Sequence, residues 1–207
     1  MEPWDLGAWD LWLFRRINGD WTGAALDAIA KGMQPALPGI ILGAIVAYWL
    51  YRRHGKSAIG VIVACVVAVA VADVLAAQFI KPLVARPRPT VALEGVRMLV
   101  GKKSGFGFPS NHATNIAAVC WILGLSMRRY GWLMFAPAFI VGYSRVYVGV
   151  HYPSDVAGGY LLGTVVAVSV WLIYQELAFL LFPDKGKGAP DQGEAPGEAS
   201  SSSTGRK

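Results

Sequence analysis

Five apolar runs, each near the length of a bilayer-spanning helix, constrain this chain more than any other feature. They cover roughly 35–51, 57–80, 109–127, 131–149 and 154–182. Asp73 is the sole charge between 57 and 80, and Glu176 the sole charge between 156 and 182. A helix that crosses the hydrocarbon core needs about 20 mainly apolar residues. The apolar fraction, 55%, is close to the roughly 45–50% of soluble domains, so its distribution carries the inference. The fourth run reaches span length if Arg145 points into the bundle. The expected fold is all-α: a polytopic membrane bundle of five spanning helices in one domain, 1–183.

Residues 4–31 are intermediate in character. Trp4, Trp9, Trp12 and Trp21 are mixed there with Asp5, Asp10, Arg15, Arg16, Asp20 and Asp27. Tryptophan favours the headgroup layer. An interfacial amphipathic helix is expected, with a turn at Asn18-Gly19-Asp20; a sixth, weakly hydrophobic span is the rival. The stretch 1–5 is acidic and Arg15-Arg16 breaks the next apolar run, so no cleavable signal peptide is expected. Residues 184–207 collapse into Gly, Ser, Pro, Glu and Lys and are expected to be a disordered tail.

Polar islands sit at the ends of the runs: KPLVARPRP at 81–89, FPSNH at 108–112 and SRVYVGVHYPSD at 144–155. Polar groups at a membrane edge are functional by default. These supply cations, a hydroxyl and imidazoles, the groups that phosphoryl transfer without a metal would use. With five spans, all three islands fall on one face. The opposite turns carry Arg52, Arg53, Lys56, Arg128 and Arg129 with no acid. The positive-inside rule places those turns in the cytoplasm and the islands on the outer side of the cytoplasmic membrane.

Written as spacings, the islands are Lys81-x6-Arg88-Pro89, Pro109-Ser110-Asn111-His112 and Ser144-Arg145-x5-His151-x3-Asp155. This set resembles the type 2 phosphatidic acid phosphatase superfamily of membrane lipid phosphatases, whose core is shared with vanadium haloperoxidases. Its signatures are K-x6-R-P, P-S-G-H and S-R-x5-H-x3-D. Asn111 is the one departure, standing where the family pattern has Gly. Some bacterial isoprenoid-diphosphate members are similar in carrying a polar residue there.

The resemblance and the chemistry together imply the roles. His151 is the expected nucleophile. Asp155, four residues on, is placed to hold one ring nitrogen while the other faces phosphorus. His112 is the expected general acid, then base. Lys81, Arg88 and Arg145 would neutralise the phosphate, with Ser110 and Asn111 at a helix start adding donors. Arg86 stays outside this set, although it could contact a second phosphate. Asp73, in mid-span, reads as an interhelical hydrogen bond ahead of a catalytic or proton-transfer role. Gly158, Gly159 and Gly163 read as close-packing positions.

No acidic cluster offers a Mg²⁺ site, so neither metal nor cofactor is expected. The net charge of +6 does not indicate nucleic acid, because the cations bracket spans instead of forming a stripe. Cys65 and Cys120 lie in apolar runs as small hydrophobes. The expected partners are the bilayer and a lipid phosphate, first undecaprenyl diphosphate. Phosphatidylglycerol phosphate, phosphatidate and lipid A phosphates are rivals. Readings from other classes are a lipid-binding or transport protein without turnover and a vanadate-dependent peroxidase; a lipid phosphotransferase is a variant of the phosphatase reading, with an acceptor other than water. No protein partner is expected.

Overall fold

A computed structural model describes residues 7–34, 36–101 and 103–181, and every regular element among them is helical. The expected tail at 184–207, together with Trp4 and Asp5, lies outside the described residues. The helices are α1 (Ala8–Arg15), α2 (Ala24–Gly32), α3 (Ala36–His54), α4 (Ser57–Val74) and α5 (Lys81–Val84). They continue with α6 (Pro89–Ala92), α7 (Asn111–Ser126), α8 (Phe135–Tyr147) and α9 (Pro153–Leu181). Two π-helical stretches, Arg16–Asp20 and Leu75–Ile80, prolong α1 and join α4 to α5. A 3₁₀ stretch, Arg128–Met134, leads into α8.

Each of the five expected apolar runs holds a helix that covers most of its described residues. Ser57–Ala92 and α9 have the length and composition to cross a membrane. α3 has 19 residues, α7 16 and α8 13, below the usual 20 or so. Five crossings therefore do not follow from helix length alone.

The packing is inverted relative to an aqueous protein. α4, α7 and α9 form the core. α4 turns Ala64, Ala68 and Ala72 inward, and Ala76 continues the stripe at the same i, i+4 spacing. Its large residues Val63, Val66, Val67 and Val71 are exposed, as are Leu161, Val165, Leu172 and Ile173 on α9. Small residues inside and bulky apolar ones outside suit helices solvated by lipid, where close backbone approach drives association. Gly159 and Gly163 on α9 lie against α7. A Cβ on Gly159 would sit 2.7 Å from the Ser110 carbonyl oxygen.

The N-terminal segment does more than lie along the surface. Asn18 is buried and donates to the carbonyls of Tyr147 (2.8 Å) and Arg97 (2.9 Å), while accepting from Arg97 N–H at 3.0 Å. Those bonds hold Asn18–Asp20 within the π-helical extension of α1. The reversal expected there falls instead at 21–23.

Candidate active site

Two backbone features bring the first and third islands together. At the end of α5, Ala85 adopts φ 48°, and its N–H closes on the Lys81 carbonyl at 2.9 Å. This left-handed cap ends the helix, and Pro87 and Pro89 keep the next residues from resuming it at once. Arg86 and Arg88 thereby turn toward the bundle. Between α8 and α9, Gly149 takes φ +87°. A Cβ there would meet the Arg97 carbonyl oxygen at 3.1 Å. Only glycine meets both demands without strain, and the tight turn sets His151 beside the end of α8.

His151 is 4% exposed. Its Nε2 lies 3.1 Å from Arg88 Nη1, and its Nδ1 lies 3.4 Å from Asp155 Oδ2. The second contact is longer than an ordinary hydrogen bond. Arg88 also donates to the Val150 carbonyl at 3.2 Å. Asp155 is fully buried; its Oδ2 accepts the Tyr152 N–H at 2.9 Å and its Oδ1 accepts Arg86 Nη1 at 2.8 Å. Burial pushes the His151 imidazole down to about 4; Asp155 opposes that, while Arg88 and Lys81 add to it. Burial outweighs the carboxylate because an imidazolium loses its hydration in the interior. His151 is therefore neutral at ordinary pH. With a proton on Nδ1 toward Asp155, its lone pair is on Nε2.

A cavity of about 160 Å³ opens beside this pair, lined by Gln34, Arg88, Lys103, Asn111, His112, Arg145, Val150 and His151. His112 is exposed at its rim, in the first turn of α7. Arg145 is 2% exposed. It donates to Gln34 Oε1 and the Met33 carbonyl, each at 3.0 Å, and twice to Ser144 Oγ. α2 and the residues after it thus fix the guanidinium.

Five of the eight sequence-predicted residues line this cavity: Arg88, Asn111, His112, Arg145 and His151. The other three stand behind it. Asp155 supports His151. Lys81 Nζ donates to the Pro109 carbonyl at 2.6 Å, tying the first island to the second. Ser110 caps α7 through its backbone, and its N–H donates to the Asp155 carbonyl at 3.0 Å. Its Oγ is buried and has no hydrogen-bond partner among the described residues. The Asn111 amide donates to Asp73 Oδ1 at 2.7 Å, and Asn115 to the same oxygen at 3.2 Å. Asp73 thus makes the interhelical bonds expected of it.

Sequence reasoning missed Asp10 and placed Arg86 outside the set. Both are buried at the base of the site, at 1% and 4% exposure. Asp10, Phe14 and Ile17 share the i, i+4, i+7 face that α1 and its extension bury, while Trp9 and Trp12 are exposed. An acid on the apolar stripe of an amphipathic helix was the available signal.

The PAP2 superfamily model matches residues 60–179, which contain every one of these signatures. The chain belongs to the PAP2 superfamily. It is 36% identical over 136 residues to the bacitracin transport permease protein BcrC of Bacillus licheniformis, covering 66% of each chain. It is 30% identical over 137 residues to a lipid A 4′-phosphatase of Porphyromonas gingivalis, covering 63% of this chain and 58% of that one. To an undecaprenyl-diphosphatase of Sulfolobus acidocaldarius it is 32% identical over 116 residues, covering 56% and 54%. The chain thus spans between about half and two thirds of the length of these relatives. Among solved structures it superposes on Aquifex aeolicus LpxE with a TM-score of 0.64 and 26% identity, covering 83% of this chain and 98% of that one.

Proposed function

We propose that this chain is a membrane lipid phosphatase that works without a metal, through a phosphohistidine on His151. The observation that carries the reading is the clamp on His151. Its ring lines a cavity walled by Arg88 and Arg145, its Nε2 lies 3.1 Å from Arg88 Nη1, and its Nδ1 faces a buried carboxylate. In the first step Nε2 forms a bond to phosphorus as the bond to the leaving oxygen breaks, and His112 supplies that oxygen with a proton. The ring proton stays on Nδ1, where Asp155 stabilises the new positive charge. In the second step His112 takes a proton from water, the water oxygen attacks phosphorus, and the P–N bond breaks. Arg88 and Arg145 balance the charge on the equatorial oxygens. The buried Ser110 hydroxyl, without a hydrogen-bond partner among the described residues, supports a role for it in holding phosphate.

The favoured substrate is a diphosphate on an isoprenoid, with undecaprenyl diphosphate first. Its tail can remain against the apolar outer face while its head enters the cavity. The relatives named for undecaprenyl diphosphate and for lipid A support a lipid phosphate as the class. The cation-rich turns opposite the site favour an orientation that opens it outward from the cytoplasmic membrane.

The test is phosphate release from undecaprenyl diphosphate by detergent-purified protein in EDTA, for wild type and His151→Ala. Release by wild type, lost in the variant, is expected. Equal release by both removes His151 as nucleophile. No release from this lipid, with release from a lipid A phosphate or phosphatidylglycerol phosphate, moves the substrate and keeps the chemistry.

A further inference from the structure

Behind the site, Asp155 is tied into a buried ionic network whose other members have no part in the chemistry proposed above. Arg86 bridges two carboxylates, donating from Nη2 to Asp10 Oδ2 at 2.6 Å and from Nη1 to Asp155 Oδ1 at 2.8 Å. Ser154 completes the ring. Its Oγ accepts from Arg86 Nη1 at 2.6 Å and donates to Asp10 Oδ2 at 2.5 Å, and its N–H donates to Asp10 Oδ1 at 2.9 Å. The Arg86 guanidinium lies 4.1 Å over the Tyr152 ring. Asp10 comes from α1, 76 residues before Arg86 and 144 before Ser154.

The charge count gives the network a purpose. A guanidinium paired with Asp155 alone would cancel the carboxylate on which His151 depends. A second carboxylate on the same guanidinium leaves the trio with a net charge of minus one. We propose that Asp10 is a positioning residue for the reaction: it shares the charge of Arg86, and so keeps Asp155 both oriented and effectively anionic toward His151. Without Asp10 the Arg86 cation falls to Asp155 alone and cancels the carboxylate that faces His151.

The inference rests on the proposed role of His151. The titratable and charged groups around His151 are Arg88 and Lys81 from the first island, Asp155 from α9, His112 from α7, Arg145 from α8 and Lys103 from the loop before α7. Asp10→Asn leaves all of these in place and removes one negative charge behind them. An imidazolium at His151 is then less favoured, so the acid limb of kcat/KM moves to lower pH. The stabilisation of charge on His151 in the transition state falls at the same time.

Asp10→Asn, Asp10→Glu, Ser154→Ala and His151→Ala would be assayed beside wild type for lipid phosphate release between about pH 2.5 and pH 9, a range that extends below a histidine lowered to about 4. For Asp10→Asn, kcat is expected to fall about tenfold or more with KM within about threefold, and the acid limb to move down. Asp10→Glu keeps the charge and is expected to return the limb to its wild-type position. Ser154→Ala, which removes only the bridging hydroxyl, keeps the test alive if Asp10→Asn does not fold; a fall in kcat of about threefold is expected. A wild-type kcat and limb in Asp10→Asn and Ser154→Ala, with His151→Ala inactive, overturns this proposal alone. So does a fall in kcat with an unmoved limb, which would make Asp10 an anchor for α1. Equal release by wild type and His151→Ala overturns the proposal together with the role of His151.

Discussion

Two opposing influences set the reactivity of His151. Burial favours the neutral ring that the proposed attack needs, and Asp155 favours the charged ring that would result. Because burial wins, the proposed nucleophile is held well below the ordinary imidazole range. Activity is lost when falling pH protonates it, so the acid limb of kcat/KM is expected well below the usual histidine value of about 6.5. A pH profile of purified enzyme checks this. Arg145 offers a second test, because its five-donor fork is spread over Gln34, Met33 and Ser144. A lysine keeps the charge but cannot reproduce the fork, and Arg145→Lys is expected to lower kcat/KM about a hundredfold. The motif residues were legible because their spacing is local: His151 and Asp155 are four residues apart. Asp10 was not, because its partners are Arg86 and Ser154, far along the chain. Asn111 was only half legible. Its cavity position follows from the motif, whereas its bond to Asp73 depends on how α4 meets α7.

Glycine carries the tolerances of the elements. Gly149 sits at φ +87° in the turn that presents His151, so Gly149→Ala is expected to cost about 1–3 kcal/mol in backbone strain and to displace His151. Thermal unfolding in detergent and kcat/KM should fall together. On α9, Gly163 faces the Thr114 carbonyl and the Ala117 side chain of α7. Gly163→Leu forces the two core helices apart and is expected to lower the unfolding temperature clearly, with activity lost as Ser110 and His112 move with α7. Most of this level was legible. The run expected at 154–182 is α9, Pro153–Leu181, and that at 109–127 is α7, Asn111–Ser126. Charge-poor stretches bounded by prolines and basic turns define such helices strongly. The π-helical join Leu75–Ile80 was not legible, because the run is uniformly apolar and no period marks a change of helix type. The left-handed Ala85 is similarly silent, since nothing in KPLVARP requires it.

For the whole molecule, the convergence of three islands on one end of the bundle is the chief result. Lys81 bonds to Pro109, Ser110 to Asp155, and Arg88 to His151, so each island touches another. Sequence topology anticipated the shared face; it did not anticipate that α1 would close its base. Orientation is tested by placing single cysteines in a Cys65→Ala/Cys120→Ala background. A membrane-impermeant maleimide added outside intact cells is expected to label Lys103→Cys and to leave Lys56→Cys unlabelled. The reverse pattern would turn the site toward the cytoplasm. The central claim, covalent catalysis at His151, is tested most directly by acid-free quenching of a single turnover with phosphate-labelled lipid, followed by mapping of the label. The account predicts an acid-labile, base-stable phosphoryl group on the peptide containing His151, absent from His151→Ala. Undiminished turnover with no label on that peptide would contradict it.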